Sequence, residues 1–409
     1  AATTGAAGSA PLDKPARPAP VEGPAGTGAA SAPAPGFPLT LTDWARLATD
    51  GGTAVVPLPG GLTARLTLDP ALQERLTALL AQARPVAGAL VLLDPRDGRL
   101  LALTSTTRRP TPVPVALASH YPAASLFKLV TAAAGLEAGT IAPTTTVRTV
   151  GGGLRRLRPE HLADNPRRER WAMTLAQALA RSDNPVFGKV AVKRVGAERL
   201  ALTARAFGFD RPIPFDLPLS PSRAEVPDDP LGLGRTGAGF GEVSISPLHA
   251  ALVAAAIANE GRMPRPWLVE RVTDASGRVV YQGGPALLGR PITPRTARAL
   301  AAMMAETVAR GTSRRAFRGF RETYGVDVAG KTGSITGDDP PGHYDWFAGF
   351  APVDEPEVAV AALLVNGPRW HLKGSGAARA ALAAYFERAA GRPADRAATA
   401  PLEPGSGRP

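Results

Sequence analysis

Strand-like apolar runs stand near both ends of this chain, with more than 200 residues of a different character between them. The first pair, in AGALVLLDPRDGRLLALTS (87–105), flanks a Pro-Arg-Asp-Gly turn and reads as a hairpin. The second group is DVAGKTGSI (327–335), DWFAGFAPV (345–353) and EVAVAALLV (357–365), the last two joined by Asp354-Glu355-Pro356. The stretch between, about 120–310, is mainly helical and loop in character. Strands at both ends with helices between them point to an α+β fold. The expected architecture is a five-stranded antiparallel sheet flanked by helices, with an all-helical lobe inserted in its sequence. A cleft is expected where sheet and lobe meet.

In LTLDPALQERLTALLAQA (66–83), Leu72, Leu76, Leu79 and Leu80 follow helical spacing, with Asp69 placed to cap and Pro70 to open the first turn. Ser246-Pro247 starts another helix, which Gly261 ends, and an Ala-rich helix is expected at about 376–389. Residues 1–37 are mostly Ala, Pro, Gly, Thr and Ser without apolar periodicity, and are expected to form a disordered tether. Residues 389–409 read the same way, as a tail. That leaves 38–61 as a short linker and 62–388 as the folded domain.

The net charge of +12 fits either a skewed, Arg-rich composition or contact with an anionic wall or membrane. No recognition helix or interleaved aromatics accompany it, so no nucleic-acid partner is expected. The chain has no cysteine, which excludes disulfides and Cys-based nucleophiles. His120, His161, His249, His343 and His371 lack ligand spacing, so no metal and no cofactor are expected; His249 reads as structural. No apolar run approaches the ~18 residues of a membrane span. The chain opens on Ala, not Met, and reads as a processed or trimmed product without its own signal or anchor.

Chemistry is concentrated in three short stretches. In YPAASLFKLVTAAAGLEAG (121–139), Ser125 and Lys128 lie three apart in an otherwise apolar helix. That spacing puts them on one helix face, with Pro122 upstream favouring a helix start and Ser125 in its first turn. A desolvated lysine can take a serine proton and so make a nucleophile. The plainer reading is a capping serine beside a snorkelling lysine. ARSDNPVF (180–187) holds Ser182, Asp183 and Asn184, by itself a turn or helix cap. VAGKTGSI (328–335) holds Lys331, Thr332, Gly333 and Ser334 on a strand edge.

Taken together and in this order, Ser-x-x-Lys, Ser-Asp-Asn and Lys-Thr-Gly make the chain resemble the transpeptidase domain of the penicillin-binding proteins. The motif serines stand 57 residues apart, and Lys331 follows Ser182 by 149. The resemblance extends over about 62–388, including LTLDPALQ (66–73), GALVLLDPRDGRLLAL (88–103), GFGEVSISPLHAA (239–251), ANEGRMPRP (258–266) and DWFAGFAP (345–352). It implies a β-lactamase/transpeptidase-like fold in an exported protein of the cell envelope or periplasm. The implied activity is a D,D-transpeptidase that cross-links peptidoglycan stem peptides through a serine acyl-enzyme and is inhibited covalently by β-lactams. Matched position by position, Ser125 is the implied nucleophile and Lys128 its base, kept partly neutral by burial and by Lys331. Ser182 passes protons, Asn184 holds the substrate amide and positions Lys128, and Asp183 belongs to the same substrate-contacting motif. Lys331, Thr332 and Ser334 take the substrate carboxylate. Gly333 lets the substrate lie along the strand. The implied oxyanion hole is the backbone N–H of Ser125 and of Ser334.

Class A β-lactamases carry a Glu-x-x-x-Asn pattern after Ser-Asp-Asn. Here Glu198, Glu225 and Glu242 are followed four residues on by Leu202, Asp229 and Ser246. Transpeptidation is therefore expected over β-lactamase or D,D-carboxypeptidase hydrolysis. A non-catalytic β-lactam or wall sensor, and a basic polyanion binder with vestigial motifs, are the readings from other classes. LRRLRPEHLADNPRRER (154–170) holds six Arg and fits a solvated face, or a contact with wall polymer, lipid phosphate, or cell-wall or divisome partner proteins. About 60 residues precede the resembling region, which suggests a compact, single-module chain. Trp346 and Phe347 are candidates for either cleft or core.

Overall fold

The computed structural model describes residues 36–151, 157–368 and 372–391. The expected tether and tail lie almost wholly outside these residues, as do Gly152, Gly153, Arg155, Arg156 and His371. The main sheet has five strands: β1 Ala87–Leu93, β2 Leu100–Thr107, β3 Ala329–Asp338, β4 Pro341–Ala351 and β5 Val358–Asn366. Their order is β3-β4-β5-β1-β2, antiparallel throughout. The two ends of the chain thus build one sheet, as the sequence pattern requires.

β5 is buried along its whole length because helices cover both faces of the sheet. Ala359, Ala361, Leu363 and Val365 face a core shared with Leu248 and Leu252. Val358, Val360, Ala362 and Leu364 face the opposite core, shared with Leu72, Leu76, Ala377 and Ala381. The two-residue alternation of the strand therefore feeds two separate cores.

The helices that matter here are α1 Pro70–Ala83, α2 Lys128–Glu137, α3 Leu175–Arg181, α4 Asn184–Val190, α5 Pro247–Ala258, α6 Pro294–Ala309 and α7 Gly374–Ala389. Asp69 caps α1 as its sequence foretells, its carboxylate accepting from the N–H groups of Ala71 and Leu72 at 2.9 and 3.1 Å. Ser246 caps α5 through the N–H of His249 at 3.1 Å. α5 is apolar all round and almost wholly buried, the pattern of a core helix. His249 is structural: fully buried, with Nε2 2.7 Å from the Phe207 carbonyl.

Residues 38–61 are not a linker. Thr53–Leu58 pairs antiparallel with Leu62–Leu66, and Ala48–Asp50 adds an edge. Val269–Thr273 and Val279–Gln282 complete a second five-stranded sheet. TAVVPL carries only two inward apolar residues, Ala54 and Val56, too few to be recognised between glycine-rich flanks. Those flanks are turn chemistry: Gly60 and Gly61 both take φ of 74° to close the hairpin. The second sheet draws Val269–Thr273 from the region expected to be helical, because a strand this short pairs through its backbone more than through its pattern.

Asp216 ties the helical region to that second sheet. Its buried carboxylate accepts from the N–H groups of Leu268 and Val269 at 2.6 and 2.9 Å, and burial raises its pKa. Asp216→Ala leaves both donors without a partner and is expected to lower stability by about 2–4 kcal/mol in urea unfolding. A loss below about 1 kcal/mol would mean that solvent reaches both groups.

Candidate active site

Ser125 sits in a 3₁₀ turn, Ala124–Phe127, which runs directly into α2. The preceding Ala124 has φ of 48°, the left-handed region, so the turn holds strain that its surroundings must impose. Those surroundings are two close backbones. Gly239 lies against the turn, where a Cβ would overlap the Ala124 carbonyl oxygen and come within 3.0 Å of Ser125 N. Gly333 on β3 faces it from the sheet, where a Cβ would stand 3.2 Å from Trp346 Cβ and 3.4 Å from the Ala123 oxygen. The Trp346 indole N–H donates to the Pro122 carbonyl at 2.9 Å and fixes the start of the turn.

Lys128 does not snorkel. It is fully buried, with Nζ 2.8 Å from Ser125 Oγ, 2.8 Å from Asn184 Oδ1 and 2.6 Å from the Ala238 carbonyl. Desolvation, then the charge of Lys331, hold its pKa well below the usual lysine value; Asp183 opposes them. A neutral amine has two hydrogens and one lone pair. Asn184 and Ala238 match the hydrogens, and the lone pair is left for the Ser125 hydroxyl.

The second lysine, Lys331, is also fully buried, and desolvation brings its pKa down to about 7. Its ammonium donates to Ser182 Oγ at 2.8 Å and to the Thr332 carbonyl at 2.6 Å. Ser182 ends α3 in the left-handed conformation, with φ of 58°. Asp183 caps α4 by accepting from Val186 N at 2.9 Å. The Ser-Asp-Asn stretch is therefore a helix-to-helix corner that aims its first and third side chains at the two lysines. Asp183, expected among the substrate-contacting residues, is buried in that cap and does not line the cleft.

β3 is an edge strand of the main sheet, so its outer backbone groups face the cleft without a strand partner. The cleft has a volume of about 940 Å³, with Ser125, Ser182, Asn184, Thr332, Gly333 and Ser334 among its lining. All three motifs thus meet in one cavity. Phe347 belongs to the core, while Trp346 is buried yet borders the cleft. Glu198, Glu225 and Glu242 are not part of that lining.

Sequence reasoning missed several contributors. Ala238 and Gly239 act through backbone, and the only hint was their place at the edge of GFGEVSISPLHAA. Thr312 meets Thr332 hydroxyl to hydroxyl at 2.6 Å, and its N–H donates to Ala180 O at 3.0 Å, which holds the end of α3 near β3. Nothing in its sequence neighbourhood signals this. The residues described from 154–170 are partly structural: buried Lys189 on α4 is held by Glu169 and by Asp164.

Residues 88–386 match the family description "Penicillin binding protein transpeptidase domain". This chain belongs to the penicillin-binding protein transpeptidase family. A curated relative, the peptidoglycan D,D-transpeptidase PbpA of Mycobacterium tuberculosis, is 32% identical over 76% of this chain and 68% of its own length. The D,D-transpeptidase domain of a peptidoglycan glycosyltransferase from Eggerthella lenta superposes with a TM-score of 0.69 at 29% identity, covering 80% of this chain and 83% of that one. The penicillin G acyl-enzyme complex of M. tuberculosis penicillin-binding protein A gives a TM-score of 0.64 at 28% identity, covering 80% of each chain. The fold expected from sequence, an α+β transpeptidase-like domain, is the one these relatives share.

The depressed lysines of this transpeptidase site carry a stability signature. Between about 7 and the ordinary lysine value of 10.5, the unfolded chain binds a proton at Lys331 that the folded chain has lost. Stability therefore rises with pH across that window. Lys331→Met should remove about 2 kcal/mol of the rise between pH 7 and 9, read from denaturant midpoints. An unchanged rise would show that Lys331 keeps an ordinary pKa.

Proposed function

We propose that the cleft is a serine acyl-transfer site and that the protein is a D,D-transpeptidase acting on peptidoglycan stem peptides ending in D-Ala-D-Ala. One observation carries the reading: a fully buried, neutralised Lys128 amine 2.8 Å from the Ser125 hydroxyl. The proton of Ser125 passes to the Lys128 lone pair as Oγ attacks the penultimate D-Ala carbonyl. The backbone N–H groups of Ser125 and Ser334 receive the developing oxyanion. Collapse expels the terminal D-Ala amine, which takes the proton that Lys128 had accepted, relayed through the Ser182 hydroxyl that the Lys331 ammonium holds, so Lys128 is neutral again. The acyl-enzyme is then attacked by the amine of a second stem peptide; Lys128 accepts that amine's proton and returns it to Ser125 Oγ as the acyl–oxygen bond breaks, which restores both residues. β-Lactams follow the first half of this path, but their leaving nitrogen stays tethered and blocks the second amine.

Transfer is favoured over hydrolysis because the described cleft lining holds no glutamate to activate a water. The edge of β3 suits an extended peptide added as a further strand. Lys331 and Thr332 supply positive charge and a hydroxyl for the substrate's anionic end. Such a substrate places the protein outside the cytoplasm. Among the described residues, no helix is long and apolar enough to cross a membrane. Wall or divisome proteins are partners consistent with the activity.

Ser125→Ala should abolish covalent labelling by a fluorescent penicillin, and persistent labelling would remove Ser125 from its role. Lys128→Met should slow acylation by about 10²–10⁴-fold while the melting temperature stays at or above that of the unaltered protein. Acylation should fall at acid pH as Lys128 takes a proton, and carboxylate-bearing β-lactams should also lose efficiency above about 7 as Lys331 loses one. Mass spectrometry of the products from a natural muropeptide should show cross-linked dimer; trimmed monomer alone would mean carboxypeptidase activity.

A further inference from the structure

We propose that Asp345 is a specificity-determining residue: it engages the hydroxyl hydrogen of Ser334, so that Ser334 offers the cleft an acceptor and the hold on a substrate carboxylate falls to Lys331 and Thr332. The inference rests on the acyl-transfer reading above and refines which groups of the substrate the site accepts.

Ser334 on β3 and Asp345 on β4 are direct cross-strand partners, so their side chains share a face of the sheet. Ser334 Oγ donates to Asp345 Oδ1 at 3.1 Å. Asn366 on β5 donates through Nδ2 to Asp345 Oδ2 at 3.1 Å and to the Leu372 carbonyl at 3.0 Å. The Asp345 residue is 5% exposed, yet it borders the cleft along with Ser334. Two other charged or titratable groups face it: His343, with Nε2 at 3.7 Å from Oδ1, and Lys373, which precedes α7. Its sequence neighbours Tyr344 and Trp346 are buried aromatics, so the flanks gave no sign of a carboxylate that reaches the cleft.

The argument is one of hydrogen count. An ionised carboxylate accepts only, and a serine hydroxyl has a single hydrogen. The hydrogen between the two residues therefore belongs to Ser334 and points at Asp345. What remains toward the cleft is a pair of lone pairs. An amide N–H or an ammonium on the substrate finds a partner there; a carboxylate does not. Protonation of Asp345 reverses the polarity, because the acid donates to Ser334 and releases the Ser334 hydrogen to the cleft. Burial raises the pKa of Asp345, with His343 the largest opposing influence. Asn at 345 would present an amide hydrogen to Ser334 while its oxygen accepts from Asn366, which also frees the Ser334 hydrogen. Ala at 345 frees it by removing the acceptor.

The test compares acylation by penicillin G with acylation by its carboxamide, in the unaltered protein and in Asp345→Asn and Asp345→Ala, with melting temperatures as the check on folding. Acylation of the unaltered protein by both probes, and of Ser125→Ala by neither, tests the underlying reading separately. Each variant is expected to raise the carboxylate-to-carboxamide efficiency ratio by about tenfold near neutral pH, the effect of one regained hydrogen bond to a charged group. In the unaltered protein the ratio should climb in two steps as pH falls, one from Lys331 near 7 and one from Asp345, and only the Asp345 step should vanish in Asp345→Asn. Ratios within twofold of the unaltered protein in both variants would overturn the assignment. If neither variant folds, the pH profile of the unaltered protein decides: a single step overturns it.

Discussion

Two lysine side chains with no exposure to solvent meet at the seam between the sheet and the helical lobe. Water would keep each ammonium charged; the seam removes the water from both and sets the Lys331 charge near enough to penalise that of Lys128. Everything near the seam serves to keep it closed. Gly239 and Gly333 let two backbones press on the Ser125 turn, and Trp346 anchors its first residue. Lys128 finds three oxygens and Lys331 finds two, so neither is a buried donor without partners. Burying two lysines lowers stability wherever they would otherwise be charged, and the neutral Lys128 amine that results is the physical origin of the reactivity.

The same logic explains where the strain sits. Ala124 takes a left-handed φ in the residue before the serine, while the surrounding core of β4, β5 and α5 is regular. A rigid, doubly covered sheet can over-determine one unfavourable residue. The edge strand β3 is the exception to that regularity, because its outer side is left for a peptide rather than a neighbour. Asp345 lies on the adjacent strand β4, directly opposite Ser334 of that edge. It is a polar group in an aromatic strand, kept there by Ser334 and Asn366.

Much of this was legible in the sequence. The hairpin turn at 94–98, the caps Asp69 and Ser246, and the apolar runs of β4 and β5 obey local rules, and local rules can be read from a single chain. The three motifs were legible as a set, since each alone is an ordinary cap or strand. The second sheet was not, because Thr53–Leu58 has two inward apolar residues and its hairpin partner Leu62–Leu66 pairs with Val269–Thr273, over 200 residues away. The place of Asp183 in a helix cap, away from the cleft lining, was not legible, because a helix cap and a site residue share the same chemistry. Ala238, Gly239 and Thr312 were invisible, since they act through backbone atoms or through a contact across the fold.

By itself the sequence determined which side chains could do chemistry and where the strands of the main sheet and the capped helices would lie, because spacing and capping act within a few residues. Tertiary structure alone decided that Lys128 is buried instead of reaching for solvent, that Ser182 and not Asp183 faces the cleft, and that Ser334 lies over a carboxylate. Charge state and hydrogen-bond direction depend on which distant atoms exclude water, and no local pattern encodes that.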